Sequence, residues 1–277
     1  MNTVKAALVT AALVLPVLPQ TGLASSGGPP LPQEDWSFKG IFGQFDQAAL
    51  KRGAKVTIEV CLGCHSIKYI KFDHLRQFGF TEAEVSEMAG GAGLTKQDKL
   101  VSGLAPADAK ESFGLVPPDL SLMTKARKGY EDYTFAILTG YLTEEDTALV
   151  DAAKEDGTLS PEEITKLASA LHMDPHHPEK IDEAVKRIAN GDHFNKYFPG
   201  NFLAMPAPLS AGAVTYADGT EATVKQLAKD VTTFLAWAAE PTQTERKSTG
   251  HKVILYLIVL TAMLYAVKRR IWARVHH

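Results

Sequence analysis

Apolar residues recur at spacings of three and four in two stretches that lie far apart in the chain. Phe45, Ala49, Gly53, Val56 and Val60 make the first. Val224, Leu227, Val231, Phe234, Leu235 and Ala238 make the second, closed by Glu240-Pro241. Such spacing lines up side chains on one face of an α-helix, and proline ends it. Gly53 inside the first predicted helix costs about 1 kcal/mol against alanine, which points to a close helix crossing that needs its missing side chain. Shorter helical pieces are predicted at Thr81–Met88 and Tyr130–Tyr141, followed by an acidic segment from Thr143 to Asn190. Sustained period-two alternation and internal repeats are absent. The expected class is all-α with long loops, with a Gly/Pro/Ser-rich extended leader at Ser25–Pro32.

Two further runs are apolar without periodicity. Ala6 to Leu18 follows Met1-Asn2-Thr3-Val4-Lys5, and Gly22 and Ala24 occupy the −3 and −1 positions of a cleavage site. Residues 1–24 read as a secretory signal peptide, too short and too proline-interrupted for an anchor. Val253 to Val267 ends in Lys268-Arg269-Arg270. Fifteen residues span only about 22 Å, but a helix over 249–272 spans about 36 Å if its terminal lysines reach for the interfaces. That covers a bilayer core of roughly 30 Å, and Trp272 with the basic cluster suits its edge. The expected layout is a domain at 25–248, a transmembrane helix at 249–272 and a tail at 273–277. The basic cluster keeps the tail cytoplasmic and leaves the domain on the export side.

Charge follows the same division. All 32 acidic residues lie between Glu34 and Glu245, against 23 of the basic ones, so the domain carries a formal −9 where the whole chain carries −3. Such charge either steers a basic partner along its field or serves solubility alone, and in both cases gives nucleic acid no footing.

The only two cysteines stand in Cys61-Leu62-Gly63-Cys64-His65. C-x-x-C-H is the pattern of covalent c-type haem attachment: two sulfurs at i and i+3 share a face and reach two vinyl groups, and the adjacent imidazole becomes an axial ligand. A zinc site needs a second ligand pair, and no further cysteine exists. A thioredoxin-like pair needs a βαβ context that the pattern lacks, and a disulfide would close a very small loop. One covalently attached haem c is the expected cofactor, and the two long helices with the motif after the first fit a class I cytochrome c-like domain. The sixth iron ligand stays open on this evidence: Met88, Met123, Met173 and Met205 compete with His74, His172, His176, His177 and His193. Met205 lies in a segment stiffened by Pro199, Pro206 and Pro208, which suits a sulfur held at fixed distance. Asp156-Gly157 with Glu163 hints at an EF-hand loop, but Ala152 and Lys154 fall where the first ligands belong, so calcium is rejected.

Ordered segments along the chain carry a resemblance. They are Lys51-Arg52-Gly53, Val60 to Ser66, Pro117-Pro118-Asp119-Leu120-Ser121, Ala126-Arg127, Glu131-Asp132-Tyr133, Leu138-Thr139-Gly140-Tyr141, Phe194 to Gly200, Met205-Pro206 and the end of the anchor. From about residue 35 onward the chain resembles the bacterial type of the cytochrome c1 family, haem subunits of cytochrome bc1 complexes (ubiquinol–cytochrome c reductases). The resemblance implies Cys61 and Cys64 as attachment points, His65 and Met205 as iron ligands, and Arg127 and Tyr133 near the haem propionates. It also implies a Pro118 or Pro117 carbonyl accepting the His65 Nδ1–H. Implied partners are a cytochrome b subunit, a Rieske iron–sulfur protein, a soluble or tethered cytochrome c, and the lipid bilayer, within a dimeric complex. The implied location is the bacterial inner membrane, single-pass, with the haem domain periplasmic. No independent bond-making chemistry is expected. A free-standing anchored carrier and a haem-based sensor are the rival readings. Two departures stand out: Lys196 replaces a commonly seen proline, and about 142–192 is an insertion, expected as a solvated acidic appendage.

Overall fold

The computed structural model describes residues 29–156 and 159–274. The signal peptide expected at 1–24 lies outside them, as do Gly157 of the rejected calcium loop and the end of the tail.

Helix α1 (Gln47–Glu59) starts where Asp46 Oδ1 accepts the amides of Ala48 and Ala49, so its first turn is capped by its own sequence. It buries Ala49, Leu50, Gly53, Ala54, Val56 and Thr57. Two short strands follow, β1 (Ile67–Lys71) and β2 (Lys99–Leu100), antiparallel with Ile67 opposite Leu100. Strand β2 has two residues, too few to register as alternation, so this small sheet is an addition to the all-α expectation. Between them lie a 3₁₀ segment (Phe72–Phe78) and α2 (Glu82–Gly91), the latter opened by a capping box of Thr81 and Glu84. Then come α3 (Pro106–Phe113), α4 (Met123–Ala126) and α5 (Tyr130–Thr139).

Three helices fill the insertion: α6 (Glu144–Asp156), α7 (Pro161–Leu171) and α8 (Pro178–Ala189). They enclose a second core of Val150, Leu167, Leu171, Ile181 and Val185 with Phe194. The solvated appendage expected there is instead a packed unit. Ile181, Ala184, Val185 and Ile188 repeat at helical spacing, an amphipathic stripe hidden among the charges. Residues 143–192 hold 13 acids against 5 bases, a formal −8, so nearly all the domain's negative charge sits on this unit.

Helix α9 (Val224–Ala239) returns to α1, with Thr223 Oγ accepting the Gln226 amide at its start. Leu50, Val56, Phe72, Leu75, Leu227, Val231 and Phe234 make the main core between them. The crossing point is Gly53: a Cβ there would fall 2.1 Å from the Asp230 carbonyl oxygen and 2.8 Å from Phe234 Cβ. Beside it the fully buried Asp230 accepts from Arg52 Nε at 2.9 Å and Nη2 at 3.0 Å, locking the pair of helices by a charge-assisted fork. The chain ends in α10 (Gln243–Trp272), which starts six residues before the expected boundary and is long and apolar enough to cross a membrane.

Candidate haem site

Beyond Glu59 the chain tightens into a 3₁₀ turn over Cys61–Gly63, with the Cys64 and His65 amides both donating to the Cys61 carbonyl. Leu62 is buried and anchors the turn, while Cys61 is half-buried and Cys64 exposed. Both thiols are free. Burial, with Cys64 beside it, pushes the Cys61 thiol up to about 12, so it stays protonated at neutral pH.

The turn is bolted on two sides. Ser102 Oγ donates to the Gly63 carbonyl and the Ser102 amide to Ser66 Oγ, while the Leu120 amide donates to the Ser66 carbonyl at 2.8 Å. The last bond brings in the Pro117–Ser121 segment, which Asp119 and Ser121 fasten to β1 through the amides of Lys68 and Tyr69. As a result His65 Nδ1 stands 2.8 Å from the Pro118 carbonyl oxygen. A carbonyl only accepts, so Nδ1 carries the proton and the lone pair sits on Nε2, the tautomer an axial ligand needs. Of the two prolines expected, the partner is Pro118. Near it in sequence Leu115, Val116 and Leu122 are 48%, 51% and 43% exposed, apolar surface of the kind a porphyrin covers.

Met205 is held from another direction. Tyr141 Oη donates to the Met205 carbonyl at 2.9 Å from the end of α5. Tyr141 in turn forms a β-bridge with the fully buried Asn195, whose Nδ2 donates to the Ile137 carbonyl and whose Oδ1 accepts the Tyr197 amide. Gly140 lets these segments meet: a Cβ there would lie 2.7 Å from both Asn195 Oδ1 and the Tyr197 ring. The Lys196 amide donates to the Gly140 carbonyl, a bond that proline at this position would forbid. Lys196 Nζ reaches Asp146 Oδ2 of α6 at 2.6 Å, tying the insertion to this loop. Among the described residues no hydrogen bond joins His65 to Met205; each has its own support.

Six of the eight rival ligands have packing or partners of their own. Met88 and Met123 pack against the main core and Met173 against the second. His172 caps α7 in the left-handed region and sets its ring edge-on to Tyr197. His177 pairs with Glu179, and His74 accepts from the Lys71 amide.

Arg127 is exposed, donates to the Ala126 carbonyl and makes no ion pair among the described residues. Its alternative acids are taken: Lys39 reaches Glu131 and Asp132, and Trp36 Nε1 donates to Asp132 at 2.6 Å. Burial pushes the half-buried Tyr133 phenol up, and the charge of Arg127 acts against that push, so these two groups share one neighbourhood. An unpaired guanidinium beside a phenol is a receptor for carboxylates. The residues are of the kinds a haem takes: two free thiols, an imidazole whose Nδ1 is bonded to the Pro118 carbonyl, exposed apolar side chains close by in sequence and an exposed guanidinium. Ser102, Tyr141 and Asn195 were missed as supports, because side-chain bonds to distant backbone leave no mark in sequence.

The family model described as the Cytochrome C1 family matches residues 36–275. A protein of Rhodospirillum rubrum called cytochrome c1 is 38% identical over 99% of this chain and 98% of its own length. Cytochrome b/c1 of Bradyrhizobium diazoefficiens is 36% identical over 99% of this chain and 40% of its own length. The cytochrome b-c1 complex catalytic subunit of Candida albicans mitochondria is 33% identical over 87% of this chain and 77% of its own.

Proposed function

The chain belongs to the cytochrome c1 family, and on that premise we propose that it is the membrane-anchored haem c subunit of a cytochrome bc1 complex, taking electrons from a Rieske iron–sulfur protein and passing them to a cytochrome c. The observation that carries this reading is the His65–Pro118 bond immediately after the thiol pair, which leaves Nε2 free on the residue the motif makes a ligand. Bound through Cys61 and Cys64, the haem supplies a one-electron iron couple.

The protein's own residues do the rest. Pro118 fixes the His65 tautomer and ring plane. Met205, on a loop braced by Tyr141, Asn195 and Lys196, would offer its thioether as the second protein ligand to the iron, a donor that favours the reduced state. A rigid support on both sides limits the reorganisation that accompanies each electron. Arg127 and Tyr133 would receive the propionates. The acidic insertion presents negative charge to a basic partner and speeds encounter at low salt.

Helix α10 anchors the chain in the bacterial inner membrane, with Lys268, Arg269 and Arg270 at the cytoplasmic edge and the haem domain in the periplasm after removal of residues 1–24. A cytochrome b partner is supported by the Bradyrhizobium relative, whose name joins cytochrome b with c1.

A dithionite-minus-ferricyanide spectrum of gently solubilised protein tests the reading. Covalent c-type bands accompanied by b-type bands are expected. A c-type band alone from an intact preparation indicates a free-standing carrier, and no c-type band overturns the roles of Cys61, Cys64 and His65.

A further inference from the structure

Between the buried rings of Trp36 and Phe45 the chain makes a turn whose tip exposes Ile41 and Phe42, 72% and 75% accessible. Large apolar side chains this exposed are rare in a domain that buries so many others. The turn is built to hold them out. The Lys39 amide donates to the Trp36 carbonyl and the Gln44 amide to the Ser37 carbonyl, both at 3.0 Å. Gly43 is so tightly folded that a Cβ there would lie 1.9 Å from the Lys39 carbonyl oxygen.

The neck of this turn is tied to the first part of α10. Lys247 Nζ donates to the carbonyls of Phe38 at 2.6 Å and Gly43 at 3.3 Å. One helical turn further on, the His251 ring lies 4.8 Å from the Phe42 ring. The apolar run begins at Val253, only about 3 Å further along the axis at 1.5 Å per residue. The tip is thus fixed at the depth where α10 becomes apolar on every side.

We propose that Ile41 and Phe42 form a second membrane contact, inserting into the headgroup–acyl boundary of the leaflet beside α10. The partner is a lipid surface, because the tip continues the exposed apolar surface of α10 itself. A helix alone lets the domain swivel about its axis; a helix plus this wedge fixes the face that the haem domain turns to its redox partners. The inference rests on the reading of α10 as a membrane anchor.

Photo-crosslinking in native membranes tests it, using full-length haem-loaded protein with p-benzoylphenylalanine replacing Phe42. The same residue replacing Val259 in mid-span and replacing the exposed Tyr69 on β1 gives the controls. Lipid adducts at positions 42 and 259, several-fold above position 69, are the expected result. An adduct of position 42 with another polypeptide, or no lipid adduct there while position 259 gives one, overturns the wedge and leaves the anchor standing. Failure of lipid adducts at both positions overturns the wedge and the anchor reading together.

Discussion

Gly53→Ala sets two physical effects against each other with opposite signs. Alanine gains about 1 kcal/mol over glycine in a helix interior. Against this, the added Cβ would stand 2.1 Å from the Asp230 carbonyl oxygen, 2.7 Å from its carbon and 2.8 Å from Phe234 Cβ. These are backbone atoms and a Cβ, which no rotamer change can move, so α1 and α9 must separate at their point of closest approach. Overpacking costs about 1–3 kcal/mol, and a backbone obstacle belongs at the upper end. The net loss is about 2 kcal/mol. For a domain of this size each kcal/mol shifts the melting temperature by about 2–4 °C, giving a fall of about 4–8 °C. Thermal unfolding of the haem-loaded protein followed by circular dichroism reads it directly. Gly90→Ala in α2, where a Cβ meets nothing within 4 Å, is the control and leaves the melting temperature unchanged or slightly raised. A rise for Gly53→Ala would show that propensity outweighs the crossing and refute the reasoning. Because α1 leads directly into Cys61, lower haem incorporation accompanies the fall.

Met205→Leu removes the thioether and is expected to lower the midpoint potential and open the iron to CO; an unchanged potential with continued CO insensitivity rules out Met205 as the ligand. Asp230→Asn removes the buried charge that pairs with Arg52, with Asp218 as the remaining carboxylate beside it, and costs about 3 kcal/mol in a chemical melt, where a loss below about 1 kcal/mol contradicts the pairing. Burial pushes the Asp146 carboxyl up, but Lys196 and the Thr143 amide outweigh it and hold it below its ordinary value. A depressed carboxyl stabilises the fold above its unfolded value near ~3.9 and loses that contribution as pH falls through the lower folded value. Amide exchange in α6, measured relative to α9, therefore stays protected from pH 7 to about 4 and rises below that. Loosening already at pH 6 would show that another group governs this contact.

What the residues alone determined is what short-range chemistry encodes. Asp46 caps α1 by bonding amides two and three residues on, and the 3.6-residue period of α9 needs no distant partner to be recognised. Cys61, Cys64 and His65 announce their chemistry because the spacing itself does the work. Gly53 was informative because a glycine in a helix has a local cost that only a close neighbour offsets. The second core was not read from the sequence: thirteen acids around the stripe of α8 masked its period of three and four and pointed to a solvated appendage instead.

Tertiary structure decided everything that depends on which distant atoms meet. Pro118 rather than Pro117 accepts the hydrogen bond from His65 Nδ1 because Asp119, Ser121 and Leu120 fix that segment on β1 and Ser66. Arg127 makes no ion pair among the described residues, while the nearby Asp132 is engaged by Lys39 and Trp36, some 90 residues earlier. Tyr141 holds the Met205 loop through a hydroxyl reaching 64 residues along the chain. The difference is one of range: capping, periodicity and motif spacing are set within a turn or two of helix, whereas burial and partner choice are properties of the whole packed chain.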